Sequence, residues 1–149
     1  PYKSLNLVSA SQPLTPSTRI LLAGYGKSTD YNAQSSSDPH DLKFTRVSPF
    51  VDDIDPTSMK SLRQMDTSSQ LYFDQRYGSG ACAGDSGGPA FLKNARGEWE
   101  VIGVASRVDP LNGPTYTQQS DVNCRTGIVY VSVLFHQNWI QQTRQRLDY

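Results

Sequence analysis

The feature that most constrains the fold is a series of six short apolar segments separated by turn-forming residues. Each segment is rich in β-branched or aromatic residues and is bounded by Gly, Pro, Asp or Asn, which is typical of β-strands. Six strands at this spacing predict an antiparallel barrel or sandwich. The predicted strands cover residues 19–25, 41–47, 70–73, 89–93, 98–106 and 127–133.

The end of the chain has helical rather than strand periodicity. Apolar and polar residues separate onto two faces there, which predicts a C-terminal helix at about 134–147 that Trp139 docks against the rest of the chain. The 149 residues are expected to form a single domain. The predicted inner face consists of His136, Trp139, Ile140, Thr143 and Leu147.

Charge and hydropathy limit the partners that the chain can have. Fourteen basic and fourteen acidic residues cancel, and no cluster of Lys or Arg is dense enough to follow a phosphate backbone or an anionic membrane surface. The apolar segments are far shorter than the ~20 residues that span a bilayer. Neither nucleic acid nor a membrane is therefore an expected partner.

The two cysteines, Cys82 and Cys124, indicate the compartment. The sequence starts at Pro1, without an initiator Met or a signal-like segment, which favours a processed chain. An even number of cysteines in such a chain favours one disulfide formed in a secreted or periplasmic environment. The alternative is a pair of buried free thiols.

The segment that carries chemistry is Gly84-Asp85-Ser86-Gly87-Gly88-Pro89. Small neighbours let a substrate carbonyl approach Ser86, and permissive backbone torsions let N–H groups converge on one point, as acyl transfer requires. The same letters fit the nucleophile elbow of α/β-hydrolases, but that elbow needs an apolar strand before the serine and a helix after it. A glycine-rich turn with an incidental serine is the remaining alternative.

Further segments occur in a fixed order around this one. They are Leu22-Ala-Gly24-Tyr25-Gly26, the strand after Asp41, the segment from Cys82 to Pro89, Val101-Ile-Gly103-Val-Ala-Ser106, and the spacing from Tyr130 to Trp139. With these segments the chain resembles the C-terminal barrel of the chymotrypsin-like (trypsin-like) serine proteases over nearly its whole length. The resemblance implies an all-β, antiparallel Greek-key barrel with a C-terminal α-helix.

The resemblance also implies a role for each residue of this segment. Ser86 would be the nucleophile, and the N–H groups of Gly84 and Ser86 would form the oxyanion hole. Asp85 would be the buried carboxylate that receives the activated N-terminus of a protease zymogen. Cys82 would pair with Cys124 across the substrate pocket.

The same resemblance places a substrate pocket around Gly80, where trypsin-type enzymes hold an aspartate. Without that acid, a Lys or Arg side chain would be buried unpaired, which favours a small aliphatic residue at P1 of a peptide or protein substrate. The residues assigned to the pocket are Gly80, Ala81, Ala83, Ser106, Arg107, Val108 and Ile128.

A serine needs a base to remove its proton, and in this family the base is a histidine held by an aspartate. Neither His40 nor His136 falls at the catalytic position, and no metal or cofactor is expected. Either an N-terminal barrel chain from the same precursor, bound non-covalently, supplies both residues, or the chain is an isolated fragment. We expect the companion chain. A catalytically silent, protease-like binding module is the alternative function.

Overall fold

The computed structural model describes residues 4–9, 14–15, 17–26, 41–49, 68–75, 80–109 and 127–147. The elements of these ranges are seven strands and one helix. They are β1 (Asn6–Leu7), β2 (Ile20–Gly24), β3 (Lys43–Pro49), β4 (Gln70–Asp74), β5 (Pro89–Lys93), β6 (Trp99–Asp109), β7 (Gly127–Ser132) and α1 (Gln137–Leu147).

Six of the strands form a closed antiparallel barrel. The strand order is β6-β5-β2-β3-β4-β7, and β7 pairs again with β6 to close the sheet. All six predicted strands are confirmed, each within three residues of its predicted ends. The predicted all-β barrel with a C-terminal helix is therefore correct.

The length of β6 lets it pair with three other strands. Its first residues pair with β5 on one side and in parallel with β1 on the other, and its later residues pair with β7. The register against β7 shifts between Ala105 and Arg107, so Ser106 is the extra residue of a β-bulge. The bulge leaves Ser106 exposed on the barrel surface.

The barrel interior is filled by side chains from all six strands. Phe73 on β4 and Tyr130 on β7 are the largest of these, and their rings meet edge to face with centroids 5.3 Å apart. Ile20 on β2 is fully buried and belongs to the same core cluster. These contacts form one continuous core, as expected for a small closed barrel.

The prediction that Trp139 docks the helix is wrong. The Trp139 side chain is 65% exposed, whereas Ile140 and the preceding Leu134 pack against the barrel core. The helix also begins at Gln137 rather than near residue 134, because residues 133–136 form turns at the end of β7. Helical periodicity groups Trp139 with Ile140 on one face but does not fix which of the two side chains contacts the barrel. Among the described residues, no helix has the length and hydropathy needed to cross a bilayer.

Truncating Ile20 tests where the core lies. Ile20→Val is expected to lower the free energy of unfolding by about 0.5–1.5 kcal/mol, because it removes a methylene from a fully buried site. Leu42→Val is the matched control: it removes one methylene from a side chain that is 46% exposed, just before β3. Urea unfolding measures both. Equal losses in the two variants would contradict the assigned core.

Candidate functional site

The loop that carries Ser86 leads directly into β5 and contains two glycines with left-handed backbone torsions. Gly84 has φ of 99° and Gly87 has φ of 80°, values that side chains strongly disfavour. Gly88 has no such torsion, but a Cβ there would lie 2.8 Å from the Asp85 carbonyl oxygen and 2.9 Å from that of Ala23. The loop conformation therefore explains why glycines flank the serine.

Backbone hydrogen bonds fix the loop to the barrel. The Gly87 N–H donates to the Ala105 carbonyl at 3.0 Å, and the Ala105 N–H donates to the Gly88 carbonyl at 2.9 Å. The Gly88 N–H in turn donates to the Asp85 carbonyl at 2.9 Å. Ser86 lies at the exposed tip of this anchored turn.

The amides of Gly84 and Ser86 remain available. Neither donates a hydrogen bond within the part of the chain that the structure describes, although the amides of Asp85, Gly87 and Gly88 all do. The Ser86 hydroxyl likewise has no hydrogen-bond partner among those residues. An exposed hydroxyl beside two unengaged amides is an arrangement that can receive a carbonyl group.

The Asp85 carboxylate turns inward and joins two loops. One oxygen, Oδ1, accepts a hydrogen bond from the Gly26 N–H at 2.7 Å, and Oδ2 accepts one from the Cys82 N–H at 2.8 Å. Lys43 supports the first loop from outside, because its ammonium donates to the Gly26 carbonyl at 3.0 Å. The carboxylate thus ties the end of β2 to the loop that carries Ser86.

The space around this carboxylate accounts for two further glycines. A Cβ at Gly24 would collide with the Asp85 carboxylate, and so would a Cβ at Gly26. Neither residue has a left-handed torsion, so the requirement for glycine at both positions is steric. The pair is therefore a consequence of the inward orientation of Asp85.

The burial of Tyr130 affects its ionisation. Desolvation, and to a lesser degree the charge of Asp85, raise the pKa of Tyr130 above its ordinary value. The folded chain therefore keeps this proton at pH values where the unfolded chain has lost it. The stability that this difference contributes is complete below pH of about 10 and decreases as the pH rises further.

Removing this hydroxyl gives an alkaline prediction. Tyr130→Phe eliminates the titration, so the free energy of unfolding of the variant should fall less steeply above pH of about 10 than that of the parent protein. Urea unfolding at a series of pH values measures the two slopes. Parallel slopes would show that Tyr130 ionises equally in the folded and unfolded chains.

Comparison with known families agrees with this geometry. A protein-family model described as Trypsin matches residues 2–140. The chain belongs to the trypsin family. Its fold is accordingly that of a protease-like hydrolase. Among the curated proteins, none matches the chain.

The residues assigned to the pocket in this trypsin-family chain differ in their burial. Ala81 and Ile128 are buried and belong to the core cluster, whereas Gly80 is half-buried. Ala83, Ser106 and Arg107 are exposed, and the Arg107 guanidinium donates to the Gln70 side-chain oxygen at 3.1 Å. Val108 pairs with Ile128 through the backbone, and its side chain lies outside the described part.

Two predicted features lie partly or wholly outside the described residues. Cys124 lies outside the described residues, so the Cys82–Cys124 disulfide stays a prediction. His40 also lies outside them. His136 is described: its ring packs edge-on against Phe135, and its carbonyl accepts the Ile140 N–H at the start of α1. Within the described ranges, no group of three or more His, Cys, Asp or Glu side chains could hold a metal ion.

Sequence reasoning missed one residue of this region, Gln75. The side chain is fully buried just after β4 and bonds to the backbone of Ala81. A glutamine at the end of a strand has no distinctive pattern in the sequence. Only the fold reveals that residue 75 lies against residue 81.

Proposed function

We propose that this chain is the nucleophile-bearing half of a serine endopeptidase. In this proposal Ser86 is the nucleophile, the N–H groups of Gly84 and Ser86 form the oxyanion hole, and a companion N-terminal barrel supplies the histidine and aspartate. The observation that carries the proposal is the exposed Ser86, held in an anchored glycine turn beside two amides that have no other described partner.

The reaction follows from these groups. The companion histidine removes the Ser86 proton while Oγ attacks the carbonyl carbon of a peptide bond, and the oxyanion that forms is held by the two amides. The histidine then gives the proton to the leaving amine, which departs and leaves an acyl-enzyme on Ser86. Water, activated by the same histidine, hydrolyses the ester and restores the serine.

The surroundings of Ser86 support a base from outside the described residues. A serine hydroxyl is a weak nucleophile until a neighbouring base accepts its proton. His136, the histidine of the described part, packs with its ring against Phe135 and gives no hydrogen bond to Ser86. A histidine on a companion barrel fits this requirement.

The barrel surface near α1 supports a docked companion. Val104, Val131 and Trp139 are all more than one-third exposed, and with Ile140 they line an apolar cavity of 500 Å³. Exposed apolar patches of this kind commonly mark protein–protein interfaces. We propose that the N-terminal barrel binds non-covalently over this surface.

Covalent labelling tests the proposal. The full protein, with its companion barrel present, is treated with a serine-directed phosphonate or sulfonyl fluoride, and peptide mapping by mass spectrometry locates the adduct. We expect one adduct, on Ser86, and no adduct when the companion has been removed. Failure to label Ser86 in a verified two-barrel protein would contradict the enzyme and favour the binding module.

We also propose an extracytoplasmic compartment and a Cys82–Cys124 disulfide. The family match and the inclusion of Cys82 in the loop before Ser86 support a bond that ties this loop to a neighbouring segment. Intact mass before and after reduction should differ by about two hydrogen masses, as expected when one disulfide is reduced to two thiols. An unchanged mass would indicate free thiols.

A further inference from the structure

A polar groove of 930 Å³ lies between α1, β1 and the hairpin that joins β5 to β6. Residues 94–98 form the hairpin turn, at the opposite end of β5 from the Ser86 loop. The groove is therefore separate from the candidate active site. Its volume is within the range of about 300–1,000 Å³ that accommodates a drug-sized ligand, which is also the size of a short peptide.

One side of α1 forms a wall of the groove. The lining residues of the helix are three, one and three positions apart, as expected for neighbours on one helix face. They are Gln137, Ile140, Gln141 and Arg144. Gln142 is also exposed on this helix but does not line the groove, so it provides a matched position for comparison.

Glu100 on β6 is the buried charge of the groove. Its side chain lines the groove but is only 8% exposed. Its Oε1 accepts a hydrogen bond from the Asn94 side-chain amide at 3.1 Å, and within the described residues Glu100 has no cationic partner. Burial removes water from a carboxylate, and a single neutral hydrogen bond does not replace the lost hydration. Glu100 therefore favours a cation in the groove.

The same amide binds a second carboxylate. Asn94 Nδ2 also donates to Glu98 Oε2 at 3.1 Å, and Glu98 is an exposed residue of the groove lining. Two negative charges beside one neutral group repel each other unless a cation lies close to both. The side chain of an arginine suits this arrangement, because its planar guanidinium can donate hydrogen bonds to two carboxylates at once.

The cations that the structure describes near the groove do not pair with these carboxylates. Arg96 and Arg144 line the groove, but neither guanidinium forms an ion pair or a hydrogen bond with a described residue. The ammonium of Lys93, at the base of the same hairpin, lies 5.0 Å from the centre of the Trp99 ring. The two carboxylates can therefore receive a cation from another molecule.

We propose that the groove binds a short peptide segment of a partner protein through an arginine side chain that contacts Glu98 and Glu100. Burial decides which charges dominate: Arg96 and Arg144 are exposed, so water screens them, whereas the charge of Glu100 is screened much less. The side-chain amides of the helix wall can both donate to and accept from a peptide backbone. This binding does not depend on the proposed protease function.

Two peptides that differ only in charge test the proposal. One is fluorescein-Gly-Ser-Arg-Ser-Gly-amide, and the other has citrulline, a neutral isostere, in place of arginine. Fluorescence polarisation with the full protein measures both dissociation constants. The arginine peptide should bind about tenfold or more tightly, because charge-assisted hydrogen bonds are stronger than neutral ones. Equal dissociation constants, or no binding of either peptide at millimolar protein, would overturn the proposal.

Glu100→Gln tests the anchoring residue. The substitution keeps the size of the side chain and removes its charge, so the preference for the arginine peptide should fall to within about twofold of unity. Asp41→Asn is the matched control, because it removes an exposed carboxylate that does not line the groove. It should keep the full preference. A preference retained in Glu100→Gln would contradict the assigned contact.

Gln141→Arg tests the groove without altering a buried residue, and it decides the matter if Glu100→Gln does not fold. A guanidinium on the helix wall should compete for the two carboxylates and weaken binding of the arginine peptide by about tenfold or more. Gln142→Arg adds the same charge one residue further on, outside the groove, and should have little effect. Equal losses in the two variants would show that net charge, not the groove, controls binding.

Replacing Arg144 identifies the charge of the ligand. Arg144→Gln removes a like charge from the wall, so it should leave binding of the arginine peptide unchanged or strengthen it. Weaker binding, together with a preference for a peptide that has glutamate in place of arginine, would mean that the groove takes an acidic partner and would refute the proposal. Labelling of Ser86 is a separate measurement, so failure of the proposed protease is distinguishable from failure of this inference.

Discussion

Ser86→Ala in the full protein is expected to lower kcat by about 10⁶-fold, which is the effect of removing the nucleophile from a serine protease. Hydrolysis requires an acyl-enzyme on this side chain in the proposed mechanism, and alanine has no atom that can form one. KM should change little, because the oxyanion amides and the pocket remain. Rates of p-nitroanilide release before and after substitution measure the loss.

Ser17→Ala is the matched control for this experiment. Ser17 is also an exposed serine in a turn, but its hydroxyl is 2.9 Å from the Thr15 hydroxyl, and the turn precedes β2. Activity of Ser17→Ala should equal that of the parent. If Ser86→Ala kept substantial activity, another nucleophile would have to be sought.

The barrel could be predicted because its strands are encoded locally. The segments at β2 and β7 combine β-branched residues with flanking turn residues, so each can be recognised without knowing its neighbours. The strand β1 was missed, because Asn6–Leu7 contains only two residues and owes its conformation to parallel pairing with β6. A pair of residues carries no periodicity.

The contacts between distant segments could not be predicted from local patterns. Helical periodicity placed Trp139 and Ile140 on the same face, but it does not fix the rotation of a helix against a barrel, and only Ile140 packs inward. The hydrogen bond between Gln75 and Ala81 could not be predicted either, because it depends on how the chain runs between β4 and β5.

The candidate site could likewise be predicted only in part. Glycines around Ser86 were recognisable as a nucleophile turn because the chemistry requires small neighbours. The reason for Gly24 and Gly26 appears only in the fold, where the Asp85 carboxylate takes the space of their side chains. The resemblance implied that Asp85 receives an activated N-terminus, and that role stays a prediction. In the structure the amides of Gly26 and Cys82 bind the carboxylate.

Asp85→Ala is the second substitution for which we expect a large effect, because the carboxylate binds these two amides. The substitution removes the acceptor of the Gly26 and Cys82 amides, and an unsatisfied buried donor costs about 1–3 kcal/mol. We expect the free energy of unfolding to fall by about 2–5 kcal/mol when both are lost. Urea unfolding measures this decrease.

The same substitution should also lower kcat by about 10²–10³-fold, the usual result of losing an oxyanion donor. Gly84 lies between Cys82 and Asp85, so releasing the Cys82 amide frees the backbone that positions the Gly84 N–H. Asp85→Asn should fall between the two proteins, since its amide keeps one acceptor oxygen but turns an N–H₂ group toward the other donor.

Asp41→Ala is the control for a lost negative charge, because Asp41 is exposed in the segment before β3. It should leave both stability and kcat close to those of the parent. A stable, fully active Asp85→Ala would mean that the loop holds its shape without the carboxylate. In that case the inward orientation of the Asp85 side chain would follow from the loop conformation and would not be what positions the Gly84 and Ser86 amides.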